Sequence, residues 1–244
     1  MNSYAEVLES YLIPAEEGFM DKVKAAANAI INAVIAMIKR LVNKIIAGVN
    51  YLKNKIKKSR DRKSDIGDNA SPTNSVSKVS STVKKDNQAG SATKALPDKA
   101  GLNRKLNSAT EKLVSSSRKI NSTLNKMCSR AYSMTKSESI SQSEIDGMEA
   151  GLDNILEDMT SYIDDVEAIY DDGGRLTEAD ALKYMVGLKA DIALLNTICS
   201  TFEKMQQDNQ AEDNKKVIDQ LCKSVKHAIT ISATVVDMVP SLCR

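Results

Sequence analysis

The chain has 244 residues and a formal net charge of +2, and 42% of its residues are hydrophobic, which is enough to bury a core if most of the chain folds. Aromatic residues make up only 4% and tryptophan is absent, so aliphatic side chains must supply that core, a composition that favours packed helices over sheets. The sequence has one histidine and contains neither a phosphate-binding glycine loop nor a metal-ligand spacing, so we expect no enzyme, no cofactor and no metal site.

The first predicted element is an acidic leader, residues 1–17. It carries four glutamates and no base. Tyr4, Leu8 and Tyr11 follow one another three and four residues apart, which predicts a short amphipathic helix, and Pro14 would end it. We expect the chain to break near Gly18 before the next element begins.

A long basic helix is predicted over residues 18–58. One apolar position recurs at the spacing of a straight helix, and the last part of the segment is rich in lysine. The apolar row comprises Phe19, Val23, Ala27, Ile30, Val34, Ile38, Leu41, Ile45, Val49, Leu52 and Ile56. The cations beside it are Lys39, Arg40, Lys44, Lys53, Lys55, Lys57 and Lys58. We expect this helix to stand apart from the globular part of the chain, because a flexible segment follows it.

Several kinds of partner fit this basic helix. Its apolar row could pack on the C-terminal helices or on copies of itself, with the lysines solvated. It could also lie in an anionic membrane surface, since its uncharged run is too short to span a bilayer. Its positive charge could instead neutralise nucleic acid without reading the base sequence. The seven cations are therefore candidate contacts for DNA or lipid.

Residues 59–100 are predicted to be a disordered linker rich in serine and lysine. Their isolated valines offer too little apolar surface to offset the conformational entropy that folding would cost. We therefore expect this segment to connect the basic helix flexibly to a C-terminal domain of residues 101–244.

The C-terminal domain is predicted to be a four-helix up-down bundle, so the chain as a whole is expected to be all-α. The predicted helices cover 102–134, 141–169, 177–205 and 217–238. Ser141 opens the second with a capping pattern, the segment 171–175 breaks the chain, and Pro240 follows the fourth. The first of these helices is basic and the second acidic, so antiparallel neighbours would neutralise each other. The four widely spaced cysteines of this domain are typical of buried thiols in a reduced compartment.

The first forty or so residues resemble a known family. The sequence MNSYAEVLESYLIPAEEGFMDKVKAAANAIINAVIAMIKRLV is similar to the N-termini of internal head proteins of large tailed bacteriophages. In that family a short acidic leader with a tyrosine-centred amphipathic helix targets the chain to the prohead, and a prohead protease removes the leader after a glutamate. The resemblance implies candidate processing residues here, with cleavage before Glu17 or before Gly18. These residues are Ala15, Glu16, Glu17 and Gly18.

The same resemblance implies a non-enzymatic structural protein of the virion. Such a protein is made in the host cytoplasm, lies inside the phage head, and meets head or scaffold proteins and, non-specifically, DNA. Removal of residues 1–17 would delete four negative charges and change the formal charge from +2 to +6, which suits a protein packaged beside DNA. Two alternatives stay open. One is a peripheral module anchored by the basic helix at the cytoplasmic face of a membrane, and the other is a self-associating helical scaffold, a homo-oligomer joined as in a coiled coil.

Overall fold

The computed structural model describes residues 4–67, 98–136, 142–208 and 213–243, and these form six helices. The helices are α1 Tyr4–Gly67, α2 Lys99–Met134, α3 Gln142–Asp171, α4 Glu178–Lys189, α5 Ile192–Asp208 and α6 Asp213–Ser241. The described residues contain no β-strand, so the predicted all-α class is confirmed. The greater part of the predicted linker, residues 68–97, lies outside the described residues, and so does the predicted cap Ser141.

Two helices continue through prolines where the sequence predicts an end. α1 runs without a break through Pro14 and Gly18 and extends past residue 58 to Gly67, so the predicted helix end and the early start of the linker are wrong. α6 includes Pro240 and ends at Ser241. A proline inside a helix removes one hydrogen bond and costs about 3 kcal/mol. At Pro14 the surrounding leucine, alanine and glutamate residues favour helix, and in the last turn of α6 little of the helix remains to be disturbed.

Five helical rods surround the core, one more than the four-helix bundle that the sequence predicts. α1 and α2 each contact α4, α5 and α6, so these three helices lie between α1 and α2. α3 contacts α2 and α6. In the structure α1 packs within the bundle, α4 and α5 follow one another as one rod, and α3 packs against α2 and α6. The expectation that the basic helix stands apart from the globular part does not hold over residues 27–52.

The buried face of α1 largely follows the predicted apolar row. Ile30 and Ile56 of that row are half-buried, whereas most of the others are inaccessible. The buried side chains are Ala27, Ile31, Val34, Ile35, Ile38, Leu41, Ile45, Val49 and Leu52, each at most 7% exposed. Full burial of one such aliphatic side chain contributes about 1.5–3 kcal/mol relative to exposure. The row is long enough to complete the core, which explains why α1 joins the bundle.

A glycine allows α1 to approach its neighbours closely. A Cβ added at Gly48 would come 2.5 Å from Cε of Met185 in α4 and 3.8 Å from the ring of Pro240 in α6. A side chain at this position would therefore force Met185 to move. The sequence offers no sign of this contact, because Gly48 lies inside a helical pattern that an alanine would satisfy as well.

The helix predicted over 177–205 is divided in two by a buried aspartate, so the prediction of one continuous helix is wrong. Asp191 is 4% exposed, and its carboxylate accepts hydrogen bonds from Arg118 Nε and Asn121 Nδ2 of α2, each at 3.3 Å. Its backbone carbonyl accepts a hydrogen bond from the amide of Leu195 in the first turn of α5. Aspartate is favoured at helix starts rather than in helix interiors, so Asp191 both begins α5 and joins it to α2.

The predicted break over 171–175 is confirmed, as is a helix start at Thr177. Gly173 has a φ of +100°, a conformation that side chains disfavour. A Cβ on Gly174 would lie 2.8 Å from a backbone oxygen of α3. Thr177 Oγ1 then accepts a hydrogen bond from the amide of Asp180 at 3.1 Å and caps α4. Turn geometry and capping thus account for this segment.

Candidate nucleic-acid interface

Three of the seven predicted contact cations are held by acids of other helices. The pairs are Lys39 with Glu203 (3.8 Å), Lys44 with Asp237, and Lys55 with Glu178 (3.0 Å). These pairs join α1 to α5, α6 and α4 in turn. The first turn of α4 lies beside Lys55 and the end of α5 lies beside Lys39, so the α4–α5 rod runs antiparallel to α1. The hydrogen bond to Glu178 raises the pKa of Lys55. Exposed pairs contribute about 0.2–1 kcal/mol each, so these pairs orient α1 more than they stabilise it.

The other four predicted cations remain available for a partner. They are Arg40, Lys53, Lys57 and Lys58. All four are exposed, and within the part of the chain that the structure describes no acid lies within ion-pair distance of them. The continuation of α1 past residue 58 adds Arg60 and Arg62, which are also exposed. The sequence reasoning missed these two arginines because it ended the helix before them.

Between residues 27 and 52 the apolar row of α1 is largely buried and is not available to lipid or to a second copy. Ile38, Leu41 and Ile45 are at most 2% exposed and belong to the hydrophobic core that α4, α5 and α6 share. A membrane-surface helix needs its apolar face in the lipid, so α1 would have to leave the bundle first. Over this stretch, contacts that keep the fold intact can therefore use only the outer face of α1.

A groove lies where the last turns of α1 meet α4. Its volume is about 610 Å³. Its lining residues are Lys53, Ile56, Lys57, Arg60, Asp61, Ala179, Leu182, Lys183 and Val186. Four of these are cations and one is an acid, and the floor is apolar, with Val186 47% exposed. The sequence alone could not indicate this groove, because it forms between two helices that are more than a hundred residues apart in the chain.

The acidic helix α3 faces solvent with most of its carboxylates. Its exposed acids include Asp153, Glu157, Asp158, Asp164, Asp165 and Glu167. Glu149 instead accepts hydrogen bonds from Gln220 and Ser224 of α6. α2 and α3 lie side by side, as predicted, although Arg118 of α2 and Lys136, just after α2, pair with acids of the α4–α5 rod. The molecule thus has one helix with free cations and another with free acids on its surface.

The candidate processing residues Ala15, Glu16, Glu17 and Gly18 lie within α1. The backbone is helical there, and the side chains are outside the described part of the chain. A protease cleaves an opened backbone, so the helix must unfold locally around these residues before cleavage. Pro14, which lacks a backbone donor, weakens the turn just before them and lowers that cost.

Thiols and the histidine form no reactive centre among the residues that the structure describes. Cys128, Cys199 and Cys222 are buried, and Cys243 is half-buried. Burial raises the pKa of the Cys128 thiol and raises that of Cys222 to about 12, so both stay protonated at neutral pH. His227 is exposed on α6. Over 27–62, 98–136, 142–208 and 213–243, no three His, Cys, Asp or Glu side chains whose positions are described gather as metal ligands would.

One helical segment of the described residues is long and apolar enough to cross a membrane by length and composition alone. It covers Glu178–Asp208, the α4–α5 rod, and 44% of its most apolar stretch is buried inside the molecule. Leu195, Ile198 and Phe202 of this segment are fully buried in the core. A core helix of a bundle has the same composition, so the segment is weak grounds for a membrane span.

Comparison with protein-family models, with curated proteins and with solved structures finds no match to this chain.

Proposed function

We propose that this chain is a non-enzymatic structural protein of a tailed-phage head, located in the head interior, where the charged face of α1 lies against packaged DNA. The observation that carries the proposal is the set of exposed cations on α1 that have no acid within ion-pair distance in the described part of the chain. Phosphate attraction needs only such local positive charge. The resemblance of the first forty or so residues to internal head proteins supports the location.

The two charged helices would orient the molecule on DNA. α1 offers Arg40, Lys53, Lys57 and Lys58, whereas α3 exposes acids that phosphate repels. Both helices contact α6. Because the acids of α3 repel phosphate, a DNA duplex that binds along α1 should lie with α3 directed away from it. Contacts of this kind carry no base sequence information, and the binding should be non-specific and sensitive to salt.

In the same proposal residues 1–17 act as a removable leader and the segment between α1 and α2 as a flexible tether. The leader binds scaffold or head proteins during assembly. Cleavage before Glu17 or Gly18 then removes negative charge beside the cationic helix, and cleavage before Gly18 removes four charges. Mass spectrometry of purified particles tests the processing step. A first residue of Glu17 or Gly18 is expected, and an intact Met1 in mature particles would exclude it.

DNA binding is tested with the full chain and random-sequence duplex DNA at several salt concentrations. Neutralising four cations together, by Arg40→Gln, Lys53→Gln, Lys57→Gln and Lys58→Gln, should weaken binding. The log–log salt dependence should also become shallower, by about 0.9 in slope for each phosphate that the variant no longer neutralises. The control Asp158→Asn, on the exposed face of α3, should leave the slope unchanged. An unaltered slope in the four-cation variant would rule out α1 as the DNA-binding surface.

A further inference from the structure

The groove between α1 and α4 has two features that belong to a peptide-binding site. Its rim carries Lys53, Lys57, Arg60 and Lys183 against the single acid Asp61. Its floor includes the half-buried side chains of Ile56 and Leu182 and the exposed side chain of Val186. An apolar floor with a cationic rim suits an amphipathic helix whose polar face is acidic, because the apolar anchors fill the floor while the acids meet the rim.

The chain itself contains a segment of that chemistry. Residues 1–17 carry four glutamates and no lysine or arginine. Tyr4, Leu8 and Tyr11 recur at i, i+4 and i+7, which is the spacing of the anchors that an amphipathic helix inserts into a groove. The structure gives this segment a helical backbone from Tyr4 onward. The leader and the groove are therefore complementary in both charge and apolar pattern.

The leader cannot reach the groove of its own chain. Leu12 and Lys53 belong to one uninterrupted helix. At about 1.5 Å per residue, that helix holds them roughly 60 Å apart. Any docking must therefore take place between two copies of the chain.

We propose that the acidic leader of one copy binds in the α1–α4 groove of a second copy. Because the leader and the groove are different surfaces, the contact is heterologous, and each copy in turn offers a free leader or a free groove to the next. The association therefore builds rings or open chains of copies, is strengthened at low salt, and is abolished when the leader is cut off. This inference stands apart from the proposed function, since it needs neither a phage head nor DNA.

The binding test uses a fluorescent peptide of residues 1–17 and the full-length chain, at a concentration too low for the chain to associate with itself. The peptide should bind at low salt and be released as salt rises. The groove variant Lys53→Glu with Lys57→Glu should bind the peptide about tenfold more weakly or worse, because like charges then face each other. Lys58→Glu is the matched control, since Lys58 is an exposed cation of the same helix outside the groove, and it should bind as the unaltered chain does.

The apolar floor is tested separately. Val186→Glu, at the 47% exposed floor position, should weaken peptide binding, whereas Ile46→Glu, at a 37% exposed position elsewhere on α1, should not. Circular dichroism of each variant checks that the bundle is intact. Equal losses in both variants would contradict a site in the groove.

Exchange of the charges gives the sharpest test. A peptide with Glu6→Lys and Glu9→Lys should bind the Lys53→Glu, Lys57→Glu chain more tightly than it binds the unaltered chain. Light scattering of the full chain should show association that rises with concentration and disappears in the same groove variant. The inference is overturned if the unaltered peptide does not bind, if it binds all variants equally, or if anionic vesicles bind at the groove and the peptide does not. The Lys58→Glu variant also separates this inference from the proposed function, because it should weaken DNA binding and spare peptide binding.

Discussion

α3 and the part of α1 over residues 27–62 are both amphipathic and carry charges mainly of one sign, but they differ in what surrounds them. α1 buries nine aliphatic side chains over residues 27–52 among α4, α5 and α6. The described side chains of α3 bury four, Leu152, Leu156, Met159 and Val166, against α2 and α6. Each buried aliphatic contributes about 1.5–3 kcal/mol, and each exposed ion pair about 0.2–1 kcal/mol. Both helices therefore belong to one core, to which α1 contributes more of the described buried side chains, and the charged side chains of each lie mainly on the outer face.

The largest effect should come from a cavity under α1. Ile38→Ala removes a side chain with no exposed surface and should cost about 2–5 kcal/mol in the free energy of unfolding, measured with denaturant. The control Ile46→Ala changes a side chain that is 37% exposed on the same helix and should cost less than about 1 kcal/mol. Equal costs at the two positions would show that α1 does not belong to the core.

The next effect contrasts a glycine of α1 with one of α3. Gly48→Val should destabilise by about 1 kcal/mol, the low end for overpacking, because the new side chain first displaces the flexible end of the buried Met185 side chain. Gly151→Val, the same substitution in α3, meets nothing within 4 Å and should leave stability unchanged or raise it by a few tenths of a kcal/mol through helix propensity. Denaturant unfolding of the two variants and the unaltered chain measures both changes in free energy. Destabilisation at both positions would mean that α3 is packed as tightly as α1.

The smallest effect concerns the contact between the C-terminal end of α2 and the C-terminal end of α5. α2 packs against α3, and α5 packs against α1. Hydrogen bonds from Lys136 (2.7 Å) and from the Tyr132 hydroxyl (2.7 Å) lower the pKa of Asp208. Because the pKa of this carboxyl is lower in the folded chain, its stabilisation is present above about pH 4, its ordinary unfolded pKa, and is lost as the pH falls through the folded pKa.

Comparison of Asp208→Asn with the unaltered chain measures this contribution. The difference in unfolding free energy should be present at neutral pH and should shrink as acid protonates Asp208. Ile46→Ala, which removes no ionisable group, is the control, and its difference from the unaltered chain should not converge in this way. A difference that stays constant between neutral and acid pH would mean that the Asp208 contacts do not form.

Helix type was predictable from the sequence, whereas helix partners were not. The apolar row from Ala27 to Leu52, the break over 171–175 and the cap at Thr177 are local patterns, and local patterns determine local structure. Asp191, at the break between α4 and α5, binds Arg118 and Asn121, which lie some seventy residues earlier in the chain, so no window around Asp191 could show these contacts. Two prolines, at positions 14 and 240, do not end their helices as predicted, because the cost of one missing hydrogen bond is smaller than the preference of the helix around it.

The candidate site was predictable in part for the same reason. All seven predicted cations belong to α1, but which of them are free depends on acids that α4, α5 and α6 bring to Lys39, Lys44 and Lys55. The groove at the end of α1 arises only when α4 packs against it, and Lys183 reaches its rim from that helix. Spacing along one helix indicates which side chains share a face, but the partners of that face come from the tertiary fold.

Amide hydrogen exchange of the full chain tests most directly whether α1 is part of the bundle. The account predicts that the amides over 34–52 in α1 exchange only by global unfolding, as slowly as those over 217–239 in α6, because both segments line one core. Complete exchange of the α1 amides within seconds to minutes, while α6 remains protected, would contradict it.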